Sequence, residues 1–260
     1  MEKVLLHIEE GIAVITINSP PMNILNADVV NGLLQVTADI RNHDEVKVVV
    51  LTGQGTRAFM AGGDIKSFPE LIGKGENVAY QGSKFLQAPL DAVMNLPFPT
   101  ICVLNGLAFG GGCELALSCD FRIAEEHVEI GLPEVKLGLF PGAGGTQRLP
   151  RLIGISKAKE LIFTGESVSA SKALEIGLVN DVVKTGEGMQ AAYTLSRKMS
   201  RHSAKALQYA KLAIDEGLNG GLKEGLETEA RYFGKVFQTE DVKEGVSAFM
   251  EKRRAVFKDR

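Results

Sequence analysis

The 260 residues are 45% hydrophobic, enough for a buried core in one large domain or in one domain with an appendage. With 29 Lys and Arg against 32 Asp and Glu, the formal net charge of -3 supplies no basic field of the kind that binds nucleic acid. The first residues carry no basic and apolar leader and the chain no apolar run long enough for a bilayer, so a soluble, cytoplasmic protein without a membrane partner is expected.

Residues 4–11 read as a strand entering a turn, residues 11–18 complete a hairpin, and Pro20-Pro21 stops it. Asn26 then caps a helix whose apolar face is Val29, Val30, Leu33, Leu34, Val36 and Ile40. An apolar strand over 46–51 leads to the glycine-rich turn Met60-Ala61-Gly62-Gly63-Asp64. A helical pattern over 77–94 passes through Pro97 and Pro99 into a second apolar strand, 100–104. That strand again ends in a glycine-rich turn, Phe109-Gly110-Gly111-Gly112-Cys113-Glu114, and a helix. Short strands follow at 121–124, 127–130 and 178–183, with helices between them, so residues 1–187 form an α/β core. Beyond it the pattern is helical: 189–199, 204–216, 222–237 and 242–256. The stripe Leu222, Leu226, Ala230, Phe233 and Phe237 needs cover from the core or from another subunit, which favours self-association of this 188–260 region.

Three cysteines with no C-x-x-C pair and four scattered histidines indicate neither a disulfide framework, nor a zinc knuckle, nor any other metal site. Cys113 beside a glycine-rich turn has the position of a helix-start nucleophile, but it lacks an identifiable histidine partner and reads as a buried thiol.

Glycines after strands ordinarily serve turns that require positive φ. Here two such turns match, and each leads toward a helix start whose N–H groups are unpaired and lie at the positive end of the dipole. Two backbone donors aimed at one point make an oxyanion hole, where each donor is worth about 3 to 4 kcal/mol. Glu114 follows the second turn and Glu134 lies in Gly131-Leu132-Pro133-Glu134. Taken singly, Glu114 is also explained as a dipole partner in a first helical turn, and Glu134 as a surface acid after a proline. Their spacing of 134 − 114 = 20 residues fixes no distance between them.

Four ordered segments nevertheless resemble the enoyl-CoA hydratase (crotonase) family across nearly the whole chain. They are Arg57-Ala58-Phe59-Met60-Ala61-Gly62-Gly63-Asp64-Ile65-Lys66, Asn105-Gly106-Leu107-Ala108-Phe109-Gly110-Gly111-Gly112-Cys113-Glu114-Leu115-Ala116, Gly131-Leu132-Pro133-Glu134-Val135-Lys136-Leu137-Gly138, and Pro141-Gly142-Ala143-Gly144-Gly145-Thr146-Gln147-Arg148-Leu149. The tail from Glu244 to Arg253 resembles the end of family hydratases as well.

The resemblance implies a superhelix of repeated ββα units with a C-terminal helical region that packs in trimers, often paired into hexamers. It implies an acyl-CoA thioester substrate whose carbonyl oxygen meets the N–H groups of Gly63 and Gly111, with no cofactor beyond the coenzyme A of the substrate itself. Glu114 would activate water and Glu134 would deliver a proton to Cα, in fatty-acid β-oxidation or a related acyl-CoA degradation. Ala61, Asp64, Ile65 and Lys66 match the thioester-binding loop, and Phe249 and Lys252 would approach the CoA nucleotide. Gly63 stands where many hydratases have alanine, the stretch 20–26 differs from the commonest opening, and 68–87, which shapes the acyl pocket, follows no readable pattern. Double-bond isomerisation is the alternative chemistry on this scaffold, and a non-catalytic acyl-CoA-binding or RNA-binding relative is the alternative of another class. Neither turn reads G-x-G-x-x-G with a following acid, and there is no P-loop, which disfavours nicotinamide and phosphoryl-transfer enzymes.

Overall fold

Strands that are apolar at every position must be covered on both faces, and the central strands of this chain are. The structure, a computed structural model, describes residues 2–260. Its elements in chain order begin β1 (Val4–Glu9), β2 (Ile12–Ile17), α1 (Ala27–Ile40), β3 (Val48–Gly53), β4 (Ala58–Met60), a 3-10 turn (Ile65–Glu70), α2 (Glu76–Met94), β5 (Thr100–Leu104), β6 (Leu107–Phe109) and α3 (Gly111–Leu117). They continue with β7 (Phe121–Glu125), β8 (Glu129–Gly131), a second 3-10 turn (Pro133–Leu137), α4 (Gly145–Ile153), α5 (Ile155–Thr164), β9 (Ser167–Ser169), α6 (Ala170–Glu175) and β10 (Asp181–Val183). Four helices complete the chain: α7 (Gly188–Met199), α8 (Ala204–Gly217), α9 (Leu222–Val236) and α10 (Glu240–Met250).

The strands form two sheets, β1-β2-β3-β5-β7-β10 and β4-β6-β8-β9. Pairing is parallel except for the β1–β2 hairpin and the β8–β9 edge. Successive units β3-β4-α2, β5-β6-α3 and β7-β8-α4 place one strand in each sheet, which is the winding of a ββα superhelix. The period of two decides which face each residue serves. Ala13, Ile15, Val49, Leu51, Cys102, Leu104 and Ala124 face the main core. Ile12, Val14, Val48, Val50, Ile101, Val103 and Ile123 face a second core closed by Ala192 of α7.

The Asn26 side chain accepts from the Val29 N–H at 3.0 Å and caps α1 as its sequence predicts. The helices expected over 189–199, 204–216 and 222–237 coincide with α7, α8 and α9 within a residue at each end. The last helix, expected to run to 256, stops at Met250. Lys252 turns left-handed at φ 55°, and the Arg253 N–H reaches back to the Ala248 carbonyl at 3.0 Å, closing the helix with a Schellman-type bond. The Arg253 guanidinium then grips both oxygens of Glu244, at 2.6 and 2.9 Å, and this fork reverses the tail.

Three short strands of three residues each, β4, β6 and β9, were not visible in the pattern. They matter to the site, since the glycine-rich turns follow β4 and β6 rather than the longer strands β3 and β5. Asn105 ties the two ββ corners together: its amide donates to the Gly53 and Gly55 carbonyls at 2.7 and 2.6 Å, and its oxygen accepts from the Gly53 N–H at 3.2 Å.

One glycine sets how closely the two turns approach. A Cβ on Gly112 would lie 2.0 Å from the Met60 carbonyl oxygen, so α3 rests directly on the β4 backbone. Gly112→Ala should therefore cost about 3 kcal/mol of stability or more, read as a lower urea midpoint with unchanged slope; a midpoint equal to wild type would show that α3 moves away freely.

Candidate active site

Gly63 and Gly111 meet at the point where α3 rests on β4. Parallel bridging places the chain after β4 beside Leu25, whose N–H donates to the Gly62 carbonyl at 2.9 Å and whose carbonyl accepts from the Asp64 N–H at 3.3 Å. Strand alternation therefore turns the Gly63 N–H to the opposite side. Gly110, at φ 52° and ψ -121°, brings the chain out of β6 into α3 in a conformation suited to glycine, and Gly111 is the first residue of the helix. Among the described residues neither the Gly63 N–H nor the Gly111 N–H has an acceptor. A Cβ on Gly111 would sit 3.6 Å from the Gly63 nitrogen, so the two free donors belong to turns in van der Waals contact.

Both glutamates reach this junction. The end of β8 lies beside Gly110, whose N–H donates to the Gly131 carbonyl at 3.0 Å, and the following 3-10 turn carries Glu134. A Cβ on Gly110 would lie 3.0 Å from Glu134 Oε1, which puts that carboxyl against the second turn. Glu114, one helical turn into α3, is buried. Its Oε1 accepts from the Ala143 and Gly145 N–H groups, both at 2.8 Å, and its Oε2 takes no bond from the chain.

Electrostatics separate the two acids from ordinary ones. Burial raises the Glu114 pKa, against the pull of the Gly145 and Ala143 N–H groups and the Arg148 cation. Burial pushes Glu134 up to about 7, its own backbone N–H opposes the rise, and the nearby Glu114 charge adds to it. Glu134 Oε2 is buried with no hydrogen-bond partner. A carboxyl in that state keeps its proton near neutrality. Cys113, next to Glu114, is buried with its pKa driven up by desolvation, which makes it an inert thiol.

The remaining predicted residues divide. Ala61 is in the turn and spends its N–H on the Met22 carbonyl at 3.0 Å. Asp64 caps the 3-10 turn, accepting from the Lys66 N–H at 3.1 Å, while Ile65 and Lys66 project into solvent beside the free donors. Phe249, 85% exposed, and Lys252, exposed at the end of α10, share no hydrogen bond or ion pair with this cluster among the described residues. Their tail is anchored by an Asp259–Lys47 ion pair at 2.6 Å, at the head of β3. Gly53, which begins the site-bearing corner, is about 20 Å further along that strand. The supports of Glu114, namely Ala143, Gly145, Arg148 and Asp91, were given no role by the sequence. Three glycines among residues 142–145 immediately before Arg148 were the available signal.

Among the described residues no group of three or more His, Cys, Asp or Glu side chains is placed to hold a metal, and no helix is long and apolar enough to cross a membrane. The architecture and the site together define a ββα-spiral protein with paired backbone donors beside two shielded carboxyls. The enoyl-CoA hydratase/isomerase family model matches residues 7–260, and the chain belongs to that family. It is 41% identical over 256 residues to the short-chain-enoyl-CoA hydratase of Clostridium acetobutylicum, covering 98% of this chain and 97% of that one. It is 38% identical over 257 residues to the crotonyl-CoA hydratase of Syntrophomonas wolfei, covering 98% of each. The crystal structure of enoyl-CoA hydratase from Bacillus anthracis superposes with a TM-score of 0.93 at 38% identity, covering 99% of this chain and all of that one.

The raised pKa of Glu134 has a consequence for stability. The folded protein holds that proton to about 7 against an ordinary 4.5, so the contribution to stability is complete below 4.5 and is lost as the pH rises through 7. Glu134→Gln should melt with wild type at about pH 4 and be more stable by about 1 to 2 kcal/mol at about pH 8, allowing for solvent screening of this half-buried group. Equal melting at both pH values would place the proton elsewhere.

Proposed function

We propose that the protein is an enoyl-CoA hydratase that adds water across the α,β double bond of an acyl-CoA to give the 3-hydroxyacyl-CoA. The observation that carries this reading is the presence of two carboxyls with separate environments at one junction of free backbone donors. Conjugate addition raises negative charge on the thioester oxygen, and the Gly63 and Gly111 N–H groups are preset for it. Glu114 is pinned through Oε1, so Oε2 is the oxygen that orients and deprotonates the water. Glu134, protonated near neutrality, supplies the proton to Cα. The water oxygen bonds to Cβ as its proton passes to Glu114, and the Glu134 proton bonds to Cα. The net change is addition of one water, and the carboxyl pair has gained one proton and given one.

Coenzyme A enters as part of the substrate, and the proposed chemistry uses no further group. Ala61, Asp64, Ile65 and Lys66 would form the wall along which the thioester lies. Phe249 and Lys252, both exposed, would serve the nucleotide end of the substrate, in this chain or in a neighbouring copy. This fits a homotrimer or a hexamer built on the 188–260 region, where Leu222, Leu226, Phe233 and Phe237 stand exposed in the single chain. Three free, buried thiols fit a reducing cytoplasm, which is part of the proposal.

Double-bond isomerisation needs only one carboxyl to shuttle a proton, and leaves the second unexplained. Purified protein should consume crotonyl-CoA, seen as loss of enoyl-thioester absorbance. Glu114→Gln and Glu134→Gln should each lower kcat by about 10²–10⁴-fold. A folded wild-type protein that leaves crotonyl-CoA unchanged but converts a β,γ-enoyl-CoA, with Glu114→Gln fully active, would overturn hydration in favour of isomerisation.

A further inference from the structure

The carboxyl that orients water is only as well placed as the two N–H groups holding it, one in the turn before α4 and one at the first residue of that helix. Ala143 lies in the stretch between the 3-10 turn and α4, and Gly145 begins α4. Each donor belongs to a peptide unit gripped from its oxygen side. The Gly142 carbonyl, which shares a peptide with the Ala143 N–H, accepts from Ser83 Oγ at 2.7 Å and Gln87 Nε2 at 3.0 Å, both on α2. The Gly144 carbonyl, which shares a peptide with the Gly145 N–H, accepts from the Gln147 and Arg148 N–H groups at 3.0 and 2.8 Å. Such chains polarise the intervening amide and strengthen its donation.

The peptide between these two is held by Arg148 alone. Arg148 Nη1 donates to the Ala143 carbonyl at 2.9 Å, and Nη2 donates to Asp91 Oδ1 on α2 at 2.5 Å. Gly144 makes room for this: at φ 113° it takes a conformation suited to glycine, and a Cβ there would lie 2.1 Å from Arg148 Nη1. The guanidinium is mostly buried, at 13% side-chain exposure, whereas Asp91 is half exposed at 49%. A shielded cation thus stands one peptide away from the Glu114 carboxyl, tied at its other end to α2. The charged and titratable groups that face Glu114 are this arginine from α4, Glu134 from the turn after β8 and the Cys113 thiol on α3. Among the described residues Arg148 is the only cation of this group.

We propose that Arg148, anchored by Asp91, is a positioning residue for the water-activating carboxyl: it fixes the Ala143–Gly145 segment that pins Glu114 and places a positive charge that favours the carboxylate. Glu134 lies outside this clamp, so the clamp acts on one acid of the pair and leaves the other proton-loaded. The inference rests on the hydratase reading for its catalytic meaning, but the hold on Glu114 is a property of the folded chain.

The test is a pH titration of the glutamate carboxyl carbons by NMR in isotopically labelled protein, with the Glu114 signal assigned by its absence in Glu114→Gln. Arg148→Gln should move the Glu114 titration to higher pH, Arg148→Lys should return most of the way, and Asp91→Asn should move it to lower pH by unmasking the cation. In the same variants the ascending limb of the kcat/KM profile should follow the Glu114 titration while its descending limb stays in place. In Arg148→Gln, kcat should fall about tenfold to a hundredfold, with KM within about threefold of wild type. A clamp that is merely structural would shift Arg148→Gln and Asp91→Asn in the same direction, or shift neither, and either result overturns the proposal. Should Arg148→Gln not fold, the opposite displacements expected of Arg148→Lys and Asp91→Asn decide in its place. Displaced titrations in a protein that does not hydrate crotonyl-CoA would retain the clamp and reject the hydratase reading.

Discussion

The contact on which the site depends is that of α3 against the β4 backbone. A helix start normally exposes its N–H groups to water. Here Gly112 allows α3 to approach Met60 so closely that the first N–H of the helix comes to stand beside Gly63, a turn belonging to the preceding ββα unit. Neither donor is strong by itself in solvent. Two of them fixed by the packing of separate units, with nothing to reorganise when charge develops, would stabilise an oxyanion placed there. The repeated winding explains why this juxtaposition is available: equivalent corners of successive units fall side by side, and Asn105 locks two of them in register.

The same packing sets the two acids apart. Glu114 is embedded and satisfied on one oxygen, while Glu134 has a buried oxygen without a partner. Leaving a polar atom unpaired costs stability, and the protein meets that cost by holding a proton on Glu134 until the pH passes about 7. Stability and chemistry oppose each other at this residue. Burial raises both acids, but amides of other residues and a cation oppose the rise at Glu114 while only its own backbone N–H opposes it at Glu134, so two carboxyls of one residue type stand in different environments.

Much of this was legible in the chain, for reasons that differ by element. Strands β2, β3 and β5 and helices α1 and α7 to α9 repeat their apolar residues over at least five positions, enough for a period to show. Strands β4, β6 and β9 are three residues long, and with them unseen the glycine turns were assigned to the ends of β3 and β5. The end of α10 was hidden because it is set by Lys252 turning left-handed and by the Arg253–Glu244 fork, a contact nine residues back. The meeting of Glu114 and Glu134 was reachable only through family resemblance, since no spacing rule predicts which corners of a superhelix coincide. Arg148 stood in a quoted motif without a role, because its partner Asp91 lies 57 residues away.

The arrangement makes one claim above the others, that Gly63 and Gly111 share a single oxygen atom of the substrate. A crystal structure with an unreactive acyl-CoA reads it directly. The account predicts the thioester oxygen within about 3 Å of both nitrogens, with the Cα and Cβ atoms facing the two carboxyls. A thioester bound away from the start of α3, or an oxygen reaching only one of these amides, would contradict it.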